Sequence, residues 1–141
     1  MAVISDPVTT VVSLLGDNWV AGNVDSTTPT IDESWDLGKT NLKNGDFVRC
    51  YEVSGTHGPA EVGKGLDKGE WRISIDISTA VSRSRLRKIY GEVMRILRAN
   101  ETAPGTDYNL VRATSRVDQT DKQRRWFRYV LDCNLISYEA T

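Results

Sequence analysis

The chain has 141 residues and a net charge of −1, with 39% hydrophobic and 26% charged residues. This length suits one domain with a substantial core, and the composition is ordinary for a globular protein. No apolar run approaches the ~20 residues of a membrane-spanning helix, and the N-terminal ten residues have neither the basic start nor the apolar core of a signal peptide. We therefore expect no membrane partner.

The charge is unevenly distributed. Residues 1–70 carry 11 acidic and 5 basic side chains, whereas residues 71–141 carry 8 acidic and 13 basic ones. Such asymmetry is typical of a nucleic-acid face, and equally of complementary faces that meet when copies of one chain pack side by side.

Cysteine and histidine are sparse. Cys50 and Cys133 lie in separate strand-like runs without metal-type spacing, which favours buried thiols over a disulfide. His57 is the only histidine, so a zinc site is not expected. The sequence predicts no metal and no cofactor.

The first element begins with Asp6 as N-cap and Pro7 at the first helical position, which predicts a helix over residues 7–15. Residues 21–45 are rich in small and turn residues and show no lasting periodicity, so we expect a long irregular arm. Trp35 is its most prominent apolar residue. It either anchors the arm on its own core or contacts a neighbouring subunit.

Residues 46–54 read as a strand with apolar groups on both sides. Five glycines follow between Gly55 and Gly69, which predicts a mobile, glycine-rich hairpin loop over residues 55–69. This loop lacks the GxxxxGK[ST] pattern of a phosphate-binding loop.

The strongest pattern spans residues 71–100. Residues 71–78 alternate apolar and polar side chains, as a half-buried strand does. The period then changes to three and four residues, which predicts an amphipathic helix that begins after Ser82 and ends at Asn100.

Residues 108–118 and 125–139 predict two further strands joined by a polar turn. The element order is helix, strand, strand, helix, strand, strand. We therefore predict an α+β fold, in which a mostly antiparallel sheet is packed with two α-helices in a single domain spanning residues 1–141.

No catalytic constellation is visible, because GxSxG, HExxH and CxxC motifs are all absent. Asp76 and Asp132 could face each other on neighbouring strands, but Arg72 and Arg128 share their faces, which favours ion pairs over acid–base chemistry. We expect a protein that is not an enzyme.

Basic residues concentrate in helix 83–98 and hairpin 112–128. They form a solvated surface, a contact with another copy, or a surface for nucleic acid. No DNA-docking motif or RNP motif accompanies them. The predicted interface residues are Trp35, Arg112, Arg116, Lys122, Arg124, Arg125, Trp126 and Arg128.

The order of elements, the strand ending in IDIST, the helix SRSRLRKIYGEVMRILRAN and the closing hairpin over residues 108–139 together resemble the tail terminator proteins of long-tailed viruses, also called tail completion or minor tail proteins. The resemblance covers chiefly residues 70–139. The arm and the glycine-rich loop are larger than that family's core.

The resemblance implies an α/β sandwich that assembles as a hexameric ring in the virion after assembly in the host cytoplasm. Such a ring caps the tail tube protein and joins it to the neck or head-completion protein, and DNA passes through its channel. Another neck or tail-tube component of related fold, or a small nucleic-acid-binding domain, is the alternative.

Overall fold

The computed structural model describes residues 6–33, 45–59, 66–103 and 105–140 of the chain. These residues form, in chain order, α1 (Pro7–Asn18), a 3-10 turn (Ala21–Asn23), β1 (Thr30–Glu33), β2 (Asp46–Pro59), β3 (Leu66–Thr79), α2 (Arg83–Ala99), β4 (Leu110–Asp118) and β5 (Phe127–Ala140). The strands form a five-stranded sheet of order β1-β2-β3-β5-β4. β1 and β2 are parallel and every other pair is antiparallel. The predicted α+β fold is confirmed.

Both helices begin as the sequence predicts. Asp6 Oδ1 accepts the backbone N–H groups of Val8 at 2.8 Å and Thr9 at 3.3 Å, which caps α1. Ser82 Oγ accepts the N–H of Arg85 at 3.0 Å at the start of α2. α1 continues to Asn18, past the predicted end at residue 15.

The core lies between the two helices and one face of the sheet, here called the helix-side face. Ile73, Ile75 and Ile77 alternate along β3 and are fully buried. Ile75 lies between Cys50 of β2 and Leu131 of β5. Each such side chain contributes about 1.5–3 kcal/mol by leaving water. The helices contribute Val8, Val11, Leu14, Leu15, Leu86, Ile89, Val93, Ile96 and Leu97.

Both cysteines belong to this core, and both are free thiols, as predicted. Burial raises the pKa of the Cys50 thiol far above its ordinary value and that of Cys133 to about 12. Neither thiol is reactive at neutral pH.

A bulge in β4 changes which side chains share a face. Strict alternation places Arg116 with Arg112 and places Val117 with Val111. The pairing with β5 shifts between Ala113 and Ser115, so Arg116 lies opposite Leu131 on the helix-side face. An extra residue in one strand inverts the alternation beyond it.

The prediction of an irregular arm over residues 21–45 is wrong for part of it. Thr30–Glu33 forms β1, parallel to β2 at the sheet margin, and Ala21–Asn23 forms a turn of 3-10 helix. Four residues are too few to show a period in the sequence. Residues 34–44 lie outside the described residues.

The prediction of a glycine-rich loop over residues 55–69 is also wrong at both ends, because β2 extends to Pro59 and β3 begins at Leu66. Gly55 and Gly69 make room for the Trp71 ring: a Cβ would come to 2.9 Å from the ring at Gly55 and would overlap it at Gly69. Trp71 also meets Tyr108 edge-on, with the ring centroids 5.4 Å apart. These glycines serve packing, and residues 60–65 are not described.

We expect Gly69→Ala to destabilise the fold by about 1–3 kcal/mol, because the added methyl group overlaps the Trp71 ring. Gly91→Ala is the matched control. Nothing lies within 4 Å of the added Cβ on α2, so the gain in helix propensity should stabilise the fold by up to about 1 kcal/mol. Urea denaturation measures both changes, and equal effects of the two substitutions would contradict the packing role of Gly69.

Candidate functional site

The turn between β4 and β5, here called the tip, is basic and is held in shape by hydrogen bonds within it. Asp121 and Trp126 exchange backbone hydrogen bonds of 2.8 and 3.0 Å, which close the turn. Asp121 Oδ1 also accepts the N–H groups of Gln123 at 3.1 Å and Arg124 at 3.2 Å, and Arg125 adopts a positive φ of 52°. The tip thereby holds three exposed cations, Lys122, Arg124 and Arg125.

Among the predicted interface arginines that form an ion pair, Arg124 is the most exposed. Its side chain is 75% exposed, and Nε lies 3.7 Å from Asp121 Oδ2. A pair this long and this exposed contributes little to stability. Arg124 is therefore available to contact another molecule.

Arg128 and Trp126 lie on the face of the sheet away from the helices, here called the opposite face. Arg128 binds Asp76 through two nitrogens at 2.6 and 2.9 Å, and Asp76 is only 2% exposed. The same guanidinium lies 5.6 Å from the centre of the Trp126 ring. Trp126 Nε1 is buried and has no hydrogen-bond partner among the described residues. Arg128 thus neutralises a buried carboxylate within its own chain.

The two remaining hairpin arginines differ from each other. Arg112 donates to Glu101 at 2.6 and 2.8 Å on the surface. Arg116 lies over two aromatic rings, 4.9 Å from the centre of Tyr90 and 4.7 Å from that of Tyr129. The predicted residues therefore do not form one cluster, since they divide among the tip, the opposite face and the β4 margin. Trp35 lies outside the described residues.

Asp132 and Asp76 are held in separate ion pairs, as the sequence suggested, although the partners are exchanged. Arg72 of β3 donates to Asp132 at 2.7 Å, and Ser115 adds a bond of 2.9 Å. The Arg72 hydrogen bond holds the pKa of Asp132 below its ordinary value. A carboxylate kept ionised in this way is a poor proton donor.

The basic surface of α2 is largely neutralised within the chain. Arg85 donates to Asp25 at 2.9 Å and to Asp46 at 2.8 Å, and Lys88 donates to Asp25 at 2.5 Å. Arg83 binds Asp118 at 3.0 Å. The acidic and basic halves of the sequence therefore meet in part inside one molecule.

Glu92 is the buried acidic residue of α2. It accepts hydrogen bonds from Arg95 Nε at 2.6 Å, Val20 N–H at 2.6 Å and Asn23 Nδ2 at 3.0 Å. These bonds, that from Arg95 above all, lower the pKa of Glu92 to about 2. Glu92 thus fastens the segment after α1 to α2. Its spacing of three residues from Arg95 was visible in the sequence, but its contacts with Val20 and Asn23 were not.

The described residues contain no group of three His, Cys, Asp or Glu side chains placed to hold a metal ion. A surface hollow of about 400 Å³ lies between α1 and the segment after α2, and threonine and asparagine are the commonest residues around it. Among the helices of the described ranges, none has the length and apolar character needed to cross a membrane.

Comparison with known proteins identifies a fold. No family model matches the chain, and no curated protein matches it. A solved chain from the virion of a native gene transfer agent particle has the same fold, with a TM-score of 0.61 over 94% of this chain and 95% of that one. The two sequences are 11% identical. The fold is that of a virion chain along nearly its whole length.

We expect Glu92→Gln to destabilise the protein by on the order of 3 kcal/mol at pH 7, because a pKa lowered from 4.5 to about 2 stabilises the folded state above pH 4.5. This stabilisation is lost as the pH falls from 4.5 through the folded-state pKa of about 2, below which Glu92 is protonated in both states. The difference between wild type and variant should shrink accordingly in denaturation measured from neutral pH down to the pKa of Glu92.

Glu101→Gln is the control for this prediction. Its pair with Arg112 is exposed, so its loss should cost less than about 1 kcal/mol. A Glu92→Gln effect as small as this, or one independent of pH, would contradict the anchoring role of Glu92.

Proposed function

We propose that this protein is a structural component of a tailed-virus virion, namely a tail terminator that forms a ring on the end of the tail tube. The observation that carries the proposal is the shared fold with a chain of a gene transfer agent virion, which extends over 94% of the protein. The sequence resemblance to tail terminators over residues 70–139 points to the same role.

The two ends of the sheet suit a protein that joins two different partners. β2, β3 and β5 each have 14 residues, so each spans roughly 45 Å at about 3.3 Å per residue. The basic tip lies at the end where β4 meets β5. The opposite end is a three-stranded extension formed by residues 57–59, 66–69 and 137–140. We infer that one end contacts the tail tube protein and the other the neck or head-completion protein.

The mechanism is geometric. A ring of copies matches the last ring of the tube, which stops further addition, and its central channel lets DNA pass. No reaction is required of the protein, so it is proposed to be neither an enzyme nor a cofactor-binding protein. The tip cations Lys122, Arg124 and Arg125 provide contacts with the adjoining component and non-specific contacts with passing phosphate groups.

The two alternatives to a tail terminator are not equally well supported. Another neck or tail-tube component would share the fold and the mode of assembly, and tube-end imaging distinguishes it from a terminator. A nucleic-acid-binding domain is less well supported, because Arg83, Arg85, Lys88 and Arg95 already bind carboxylates of the same chain. Helix 83–98 therefore presents far less positive charge than its sequence suggests.

We expect Arg124→Glu/Arg125→Glu to abolish or severely reduce capping of tail tubes while leaving the monomer folded, since both side chains are exposed and outside the core. Electron microscopy of tubes polymerised with the protein measures capped ends, and circular dichroism melting measures folding. Arg124→Lys/Arg125→Lys keeps the charge and is expected to cap tubes like the wild type. Normal capping by the charge-reversed variant would exclude the tip from this contact.

A further inference from the structure

The two margins of the sheet are open to another strand. The strand order places β1 at one margin and β4 at the other, and neither pairs with a second strand of the described residues. A marginal strand presents backbone N–H and C=O groups that can pair with another chain. At the start of β4 the Val111 N–H is already bound to Glu101 O at 2.8 Å, so the open part of this margin follows residue 112.

The directions of the marginal strands allow them to pair with each other. β1 runs parallel to β2, and each later step across the sheet, to β3, β5 and β4, reverses direction. β1 and β4 therefore run in opposite directions. When copies are related by rotation about an axis roughly along the strands, β1 of one copy meets β4 of the next as an antiparallel pair.

The charges at the two margins are complementary. Glu33 lies beside Cys50, hence on the helix-side face, and accepts a hydrogen bond from Thr9 Oγ1. Arg116 lies on the same face at the other margin. Neither side chain makes an ion pair within the described part of the chain.

The charges also oppose the other ways of pairing. If β4 paired with β4 of another copy, the Arg112 and Arg116 side chains of the two copies would approach one another. If β1 paired with β1, the Asp32 and Glu33 side chains of the two copies would do the same. Like charges directly opposite on paired strands are destabilising. The pattern thus favours the contact between unlike margins, which forms rings when its rotation closes.

A groove beside β4 gives an incoming segment a place to bury apolar surface. Two hollows of about 320 and 150 Å³ adjoin there and share Met94 and Ala113. Leu97 and Val111 line the first, Leu131 the second, and Arg116 lies at its rim. With Glu33 opposite Arg116, an added β1 would lie against the second hollow at its Arg116 end.

We propose that β1 of one copy adds antiparallel to β4 of the next, so that Glu33 meets Arg116 and the sheet continues around the ring. This rests on the proposed ring function and names its lateral contact. The occupant of the β4 margin is thus a second copy of this chain.

Charge exchange tests this contact. Glu33→Lys and Arg116→Glu each place like charges at every junction, so each variant should lower lateral association about tenfold and lose rings in sedimentation velocity. The double variant Glu33→Lys/Arg116→Glu restores opposite charges at every junction, so it should form rings on its own. Melting curves confirm that every variant is folded.

An equimolar mixture of the two single variants should also form rings again. In an alternating ring, the lysine introduced on β1 of one variant meets the glutamate introduced on β4 of the other. At the remaining junctions the unchanged Glu33 of one variant meets the unchanged Arg116 of the other. Every junction then joins opposite charges, although neither variant can form such a junction alone.

Three results would overturn the inference. The first is that both single variants still form rings. The second is that the single variants lose rings and neither the mixture nor the double variant regains them. The third is that the wild-type chain stays monomeric up to millimolar concentration. The proposed function has its own readout, since wild-type protein either caps tail tubes or does not. If the charge-exchange variants form rings and cap tubes like the wild type, the proposed function is retained and only the lateral contact is rejected.

Discussion

Packing of both helices on a single face of the sheet is the constraint on which the rest of this molecule depends. The isoleucines of β3 lie under both helices, and their neighbours on β2 and β5 extend the same apolar surface. Because side chains alternate, committing one face to the core commits the other to polar groups. The opposite face accordingly carries ion pairs such as Asp76–Arg128 and Arg72–Asp132. The helices use one face, so the margins and the two ends of the sheet remain for contacts with other molecules.

Many charged side chains of the described residues form ion pairs within the chain. Asp25, Asp46 and Glu92 hold the segments around α1 and β2 against α2 through Arg85, Lys88 and Arg95. Some of the remaining charged side chains lie at the margins and at one end of the sheet. Glu33 and Arg116 lie at opposite margins, and three cations lie at the hairpin tip. This distribution suits a protein whose partners approach from the sides and ends of its sheet.

Elements with a long periodic pattern could be predicted from the sequence. Features that depend on contacts with residues distant in the chain could not. α2 has a sustained period, so both of its ends were placed almost to the residue. The alternation of β3 was also found, although β3 begins at Leu66, five residues before the predicted strand. β1 has too few residues to show a period and exists through its pairing with β2. The β4 bulge depends on the register with β5, and Gly55 and Gly69 are explained only by the Trp71 ring above them. For the same reason the hairpin arginines looked like one site in the sequence, whereas their partners on other elements separate them. No sequence pattern marked Glu33 as an interface residue, because its proposed role depends on its position at the margin of the folded sheet.

We propose that this protein acts by fitting onto the end of a tail tube. The most direct measurement is electron microscopy of tubes polymerised from the tail tube protein with and without it. The account predicts that added protein forms a ring at the tube end and limits further growth, so that tube lengths become uniform. Tubes that grow equally long in its presence, with no added density at their ends, would contradict it.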